Sequence, residues 1–327
     1  MRMPGKASAL ATTLACALFA LLSSRAIAAD DYPSRPVTIV VPFTPGGSTD
    51  VLARYAAEVL QSALHQSFVV ENRAGAGGVI GIGYVAKSAP DGYTLLHAPT
   101  AFGLLPHLMK SIPYDPAADF DPIALIGLTE FSLVVSPSLN VNSVADLIAL
   151  AKAKPGALTY ASAGIGTTQQ LFAELFKSMA HVDIRHIPYK GTAPGLVDVM
   201  SGNVSMMFAD IGPALSLVQG GKLKMLAVTS LARNNDMPEV PTVAETVPGY
   251  EAIGWQGLLA RVGTPKSIVE KINKILVADL QRAETAARFK AIGVEARWST
   301  PDEFRAFIAA ESAKWRSVIR AAGIEPQ

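Results

Sequence analysis

Three glycine-rich runs hold the residues with the clearest chemical potential: Val41-Pro42-Phe43-Thr44-Pro45-Gly46-Gly47-Ser48-Thr49-Asp50, Asn72-Arg73-Ala74-Gly75-Ala76-Gly77-Gly78 and Ala161-Ser162-Ala163-Gly164-Ile165-Gly166-Thr167-Thr168. Each follows a short β-branched run and leads into a helical pattern, so each is a strand-to-helix turn. Such a turn presents unpaired backbone N–H groups at the positive end of a helix dipole, which favours an anion. Glycine lets the chain approach a ligand closely, and the hydroxyls of Ser48, Ser162, Thr167 and Thr168 add neutral donors. Two turns from one lobe facing one from another predict a cleft that holds a carboxylate. Asp50, in the first turn of its helix, either stabilises the dipole or bonds an amide of the ligand. Asp210 ends a strand on the cleft side and either touches the ligand or fixes a loop.

Several other chemistries lack their residues. Gly46-Gly47-Ser48 has no lysine and is not a phosphate loop. Gly81-Ile82-Gly83-Tyr84-Val85-Ala86 matches a dinucleotide fingerprint loosely, but falls inside a helical pattern. There is no G-x-S-x-G elbow and no H-E-x-x-H. His65, His97, His107, His181 and His186 show no metal-ligand spacing, and His186, before Ile187-Pro188, reads as structural. A periplasmic hydrolase would need a nucleophile beside a base, and no histidine or lysine stands at a recognisable spacing from the turn hydroxyls. The chain is read as a non-enzyme with no cofactor and no metal.

Charge and composition agree. The 327 residues hold 28 Lys plus Arg and 27 Asp plus Glu, so no basic stripe points to nucleic acid. Arg2 and Lys6, the apolar Ala7–Leu22 run and Ala26-Ile27-Ala28 form a secretory signal peptide over residues 1–28, cleaved near Ala28 or Ala29. Cleavage removes Arg2, Lys6 and Arg25 and leaves a formal charge of −2. The only cysteine, Cys16, lies in the apolar run within a poor lipobox, so the mature chain has no thiol chemistry.

Elements must position these turns. After Pro36, strands and helices alternate as in parallel βαβ units. Ile123–Ile126 and Leu133–Ser136 read as a strand pair without a full helix between them, which marks a crossover between lobes. Ile253–Ala260 reads as a strand that returns to the first lobe. Ser143 with Asp146, Thr264-Pro265 and Thr300-Pro301-Asp302-Glu303 are helix starts. The last helix, with Phe304, Phe307, Ile308, Trp315 and Ile319 on one face, is expected to pack on lobe one. The expected architecture is α/β: a two-lobed periplasmic binding protein (Venus flytrap) fold with two crossover strands. Lobe one takes residues 29–130 and 254–327, lobe two 131–253.

With these turns, Tyr32-Pro33-Ser34-Arg35-Pro36-Val37, Pro90-Asp91-Gly92-Tyr93-Thr94-Leu95, Ile187-Pro188-Tyr189-Lys190-Gly191, Leu226-Ala227-Val228-Thr229-Ser230 and Val240-Pro241-Thr242-Val243-Ala244-Glu245, the chain resembles the tripartite tricarboxylate transporter receptor family, also called the Bug family. The resemblance covers the whole mature chain in order. It implies a periplasmic receptor for a small organic acid: a di- or tricarboxylate, an acidic amino acid or an aromatic acid; a monomer is the default expectation. Its partner would be a membrane permease; an orphan receptor presenting its ligand state to a membrane sensor is the alternative. Carried over by motif, the contacts fall on the same three turns, with Thr100 as a weaker candidate. Two positions depart from the family. Gln170 stands where the third turn commonly carries histidine, and Phe208-Ala209-Asp210 replaces a commoner F-D-N. The ligand is therefore not borrowed from any one relative.

Overall fold

The computed structural model describes residues 32–321 and 324–326. The signal peptide, its cleavage site and Cys16 lie outside the described residues.

From Val37 the chain builds β1 (Val37–Val41), α1 (Ser48–Leu64), β2 (Phe68–Asn72), a 3-10 turn (Ala76–Gly78), α2 (Val79–Ala86), β3 (Thr94–Pro99), α3 (Ala101–Leu108) and β4 (Phe120–Thr129). After Glu130 come β5 (Phe131–Val135), α4 (Val144–Ala153), β6 (Thr159–Ser162), α5 (Thr168–Ala180), β7 (Arg185–Pro188), α6 (Thr192–Met200), β8 (Met206–Asp210), α7 (Ile211–Gln219) and β9 (Lys224–Val228). The chain ends in β10 (Gly254–Arg261), α8 (Lys266–Leu280), α9 (Ala283–Lys290), β11 (Val294–Ala296) and α10 (Pro301–Ala321).

The strands form two sheets, in the orders β11-β4-β10-β3-β1-β2 and β7-β6-β8-β5-β9. Both are mixed rather than wholly parallel: β10 runs antiparallel between β3 and β4, and β5 antiparallel between β8 and β9. In each sheet the strands that feed the glycine turns are parallel, β1 with β2 and β3, and β6 with β7 and β8. Their carboxyl ends therefore open on one edge, where α/β sheets place ligands. Below, a lobe means one sheet with its helices. β4 and β5 are not a pair. They lie in different sheets with Glu130 between them, and the return passes through Ile253 into β10.

Local chemistry explains the helix starts. Ser143 Oγ accepts from Asp146 N at 3.0 Å. Thr300 and Glu303 form a reciprocal capping box, with bonds of 2.8 and 3.2 Å. Gly81 and Gly83 lie inside α2. A Cβ on Gly81 would sit 2.8 Å from Arg73 O and Pro42 Cα, so that glycine serves close packing and not a dinucleotide.

The last helix, α10, packs on lobe one as expected: Phe304 meets Trp255 edge-on at 5.5 Å, and Ser312 Oγ lies 2.9 Å from His107 Nε2 of α3. Its second half also reaches lobe two: Trp315 stacks on Phe172 of α5 at 5.5 Å, and Trp315 and Ile319 join that lobe's core. A 21-residue helix is about 30 Å long, enough to span both lobes. Sequence periodicity shows that its apolar face is buried, but not against what.

Candidate functional site

The lobes meet over a small cavity. From lobe one the β1–α1 turn contributes Phe43, Thr44, Gly47, Ser48, Thr49 and Asp50, and the end of β3 adds Pro99 and Thr100. From lobe two come Ala163, Thr168, Gln169, Thr192 and Asp210, while Phe131, Gly254 and Gln256 line it from the crossover strands.

The helix N-termini converge here. α1, α5, α6 and α7 begin at this wall, and none has a side-chain hydrogen bond at its N-cap (Gly47, Thr167, Gly191 and Asp210). A helix leaves its first N–H groups without intrahelical acceptors; here Asp50 N donates back to Gly47 O and Ile211 N to Glu130 O, and four positive dipole ends from two lobes surround one space. Thr44 Oγ1 and Ser48 Oγ are buried there without hydrogen-bond partners. Among the described residues no lysine, arginine or histidine lines the cavity.

The sequence-predicted residues divide by turn. Within the first, Phe43, Thr44, Gly47 and Ser48 line the cavity, while Pro45 and Gly46 do not. Ala74, Gly75, Ala76, Gly77 and Gly78 also lie off it. Their turn instead presses on lobe two: a Cβ on Gly77 would fall 1.8 Å from Ile165 O. In the third turn Ala163 and Thr168 reach the cavity, but Ser162, Gly164, Gly166 and Thr167 do not. Thr100 lines the wall and donates to Trp255 O at 3.4 Å while accepting from Trp255 N at 2.6 Å. The lobes also touch where Gly191 meets Thr44, a Cβ there lying 1.9 Å from Thr44 Oγ1.

Gln170 turns away. Its Oε1 accepts from Gly166 N at 2.7 Å and braces its own turn. Gln169 lines the cavity instead, because successive helical residues point about 100° apart. Thr192 was missed as well, although Gly191-Thr192 repeats the strand-turn-helix pattern of the other sites. Gln256 and Gly254 carry no local signal, since β10 arrives from far along the chain.

The two acids in the wall differ. Asp50 Oδ1 accepts from Arg54 Nη2 and Asn72 Nδ2, both at 3.0 Å, and Oδ2 from Arg54 Nε at 3.1 Å and Gly46 N at 3.2 Å. Burial pushes its pKa up, but the bonds from Arg54, Asn72 and Gly46 outweigh this and hold it below the usual range. Asp50 thus fastens its turn. For Asp210, burial wins and the pKa rises, eased by Ser48, Thr192 and Gln169. Ser48 Oγ approaches this carboxyl from the other lobe without full hydrogen-bond geometry.

The structure brings one histidine to a turn hydroxyl, which spacing did not reveal: His186 Nε2 lies 2.5 Å from Ser162 Oγ. Ser162 Oγ also lies 3.0 Å from Gly164 O and accepts from Gly164 N at 3.1 Å. Ser162 is fully buried, and burial pushes the His186 pKa down to about 4. The pair is buried in its own turn and does not line the cavity.

His97, behind the wall on β3, is fully buried with no hydrogen bond of good geometry at either ring nitrogen. Burial drives its pKa from 6.5 to about 3, against the opposing influence of Asp50 and Gln256. Because the folded value lies below the unfolded one, the unfolded chain binds the extra proton as pH falls. The contribution is intact above pH 6.5 and is lost progressively towards pH 3. Wild type should lose roughly 2–3 kcal/mol from this residue by pH 4.5. Calorimetric Tm curves between pH 7.5 and 4.5 should therefore be steeper for wild type than for His97→Gln; parallel curves would mean that His97 titrates normally.

Comparison with known proteins places this architecture. Residues 52–324 match the model of the tripartite tricarboxylate transporter family receptor. The chain is 42% identical to protein BugT of Bordetella pertussis, over 91% of this chain and 92% of BugT. Among solved structures it is similar to R. palustris Rpa4515 with adipate, with TM-score 0.89 and 39% identity, covering 91% of this chain and all of that one. It is also similar to MatC (Rpa3494) from Rhodopseudomonas palustris with bound malate, with TM-score 0.84 and 30% identity, covering 88% of this chain and all of that one. These relatives share the two-lobed periplasmic-binding-protein fold, and they are solute-binding receptors, not enzymes. The chain belongs to the tripartite tricarboxylate transporter receptor family.

Proposed function

We propose that the protein is a periplasmic receptor that closes its lobes on a small organic carboxylate and delivers it to a tripartite tricarboxylate-type membrane permease. The observation that carries this is the convergence of four helix N-termini and two unpartnered hydroxyls on one interlobe cavity that, among the described residues, no cationic side chain lines. Such a wall binds an anion through dipoles and neutral donors. Thr44, Gly47, Ser48 and Thr100 are the proposed contacts from lobe one, with Ala163, Thr168, Gln169 and Thr192 opposite. Only the closed form touches the ligand from both sides, so binding biases the hinge. The signal-peptide pattern supports export, and the adipate and malate in the solved relatives support an organic acid as ligand.

The test is a thermal-shift screen of mature protein stripped of endogenous ligand, against mono-, di- and tricarboxylates, acidic amino acids and aromatic acids. A ligand at 100 times its Kd adds about 2.7 kcal/mol, a rise of several degrees at roughly 2–4 °C per kcal/mol. A response confined to one kind of acid is the expected result. A flat response to every acid, with neutral compounds or nucleotides stabilising instead, would overturn the reading.

A further inference from the structure

We infer that the cleft selects a carboxylic acid carrying a hydrogen-bond donor, a hydroxyl or an ammonium group, within a few atoms of its carboxylate, and that Asp210 receives that donor. The inference rests on the proposed receptor function and adds the ligand's second functional group.

Asp210 is 4% exposed and lines the cavity. It occupies the N-cap position of α7, where an aspartate ordinarily accepts from the first-turn N–H groups. Here it makes no such bond. Its carboxyl is turned to the cavity wall, where Oδ2 takes two long bonds, from Thr192 Oγ1 at 3.3 Å and Gln169 Nε2 at 3.4 Å. Among the described residues none gives Oδ1 a hydrogen bond of full geometry, although Ser48 Oγ of the opposite lobe stands beside the carboxyl. The other acid in the wall, Asp50, has both oxygens occupied by Arg54, Asn72 and Gly46. Asp210 is therefore the carboxyl with accepting capacity left, and among the described residues no lysine, arginine or histidine lines the cavity to pair with it.

The remaining wall suits the other end of the ligand. Helix N-termini and the unpartnered Thr44 hydroxyl donate, which matches a carboxylate, while Ser48 Oγ stands next to Asp210. A second carboxylate placed at Asp210 would meet a like charge and leave Oδ1 unpaired. A hydroxyl or ammonium removes both penalties. Sites that pair a buried polar group with a ligand donor reject the analogue lacking it, because the buried acceptor is then stranded. Burial raises the Asp210 pKa, which fits a carboxyl held without a cation.

The test measures affinities by titration calorimetry at pH 8, where simple diacids are fully ionised. Three series are compared: succinate, malate and aspartate; glutarate, 2-hydroxyglutarate and glutamate; phenylacetate, mandelate and phenylglycine. In the series that binds, wild type should prefer a donor-bearing member at least tenfold, and the hydroxy and amino arms tell which donor it is. Asp210→Asn should erase or reverse that preference. Its carbonyl oxygen would satisfy Thr192 and Gln169, leaving its NH₂, a donor, towards the ligand. An unsubstituted acid binding as tightly as its donor-bearing partners in wild type would overturn the inference, whether or not the variant folds. A ratio unchanged in a folded Asp210→Asn protein would do the same. Failure of every acid to bind would instead bring down the receptor reading, and this inference with it.

Discussion

Gly77→Val should weaken ligand binding by at least about 100-fold, close to 2.7 kcal/mol, while the ligand-free protein keeps its fold. The 73–78 turn does not line the cavity; it is where lobe one lands on lobe two. A Cβ at Gly77 would lie 1.8 Å from the Ile165 carbonyl oxygen and 3.0 Å from its carbon. That obstacle is backbone and cannot rotate away. In an opened molecule the two lobes part and the clash disappears. The substitution therefore penalises closure, and apparent affinity falls with the closure-competent fraction. Gly77 also has φ of +64°, so any side chain adds local strain of about 1–2 kcal/mol. The Tm of the ligand-free protein should thus drop only a few degrees. Two companions calibrate the result. Gly191→Ala meets Thr44 Oγ1 at 1.9 Å, a side-chain atom that can turn, and should lose less. Gly221→Ala, at φ of +67° with nothing within 4 Å, carries the backbone strain without the interlobe contact and should bind nearly as wild type. Calorimetry on the three proteins gives the order, and wild-type affinity in Gly77→Val would mean that ligand is held without this closure.

Trp315→Ala should cost roughly 3–5 kcal/mol of stability, lowering Tm by about 10 °C. Trp315 is 1% exposed. It stacks on Phe172, which packs edge-on at 4.9 Å against Phe131 of the crossover strand. Its Nε1 donates to Glu311 Oε2 at 3.1 Å. Removing the indole empties the place where the C-terminal helix enters lobe two and leaves Phe172 without its stacking partner. Trp298, 46% exposed, is the control: Trp298→Ala should stay within about 0.5 kcal/mol. Urea denaturation of both variants makes the comparison. Equal, small losses would mean that α10 contributes nothing to lobe two.

The local decisions were legible in the residues. β-branched runs ending in glycine turns announce strands that feed helices. Ser143, Thr300 and Glu303 announce helix starts through bonds that span three residues. The anion preference of the turns is likewise local, because it comes from backbone N–H groups that any helix N-terminus leaves unpaired. Even the turn after β7 carried the same signal in Gly191-Thr192.

Tertiary structure decided which of these turns meets what. Gly77 and Ser48 belong to equivalent turns, yet one touches the opposite lobe and the other the cavity, because that depends on where the lobes come together. Gln169 and Gln170 are the same residue type one position apart, and a rotation of about 100° sends one to the cavity and the other to Gly166 N. His186 reaches Ser162 only because β6 and β7 pair in parallel, and Gln256 reaches the wall only because β10 is inserted beside β3. The residues by themselves determined an anion-holding chemistry and the elements that present it, since those rest on hydrogen bonds and dipoles within a few positions. The cavity's composition, its free carboxyl and its closing contacts rest on sheet order and lobe orientation, which bring together residues up to hundreds of positions apart, and only the folded molecule sets these.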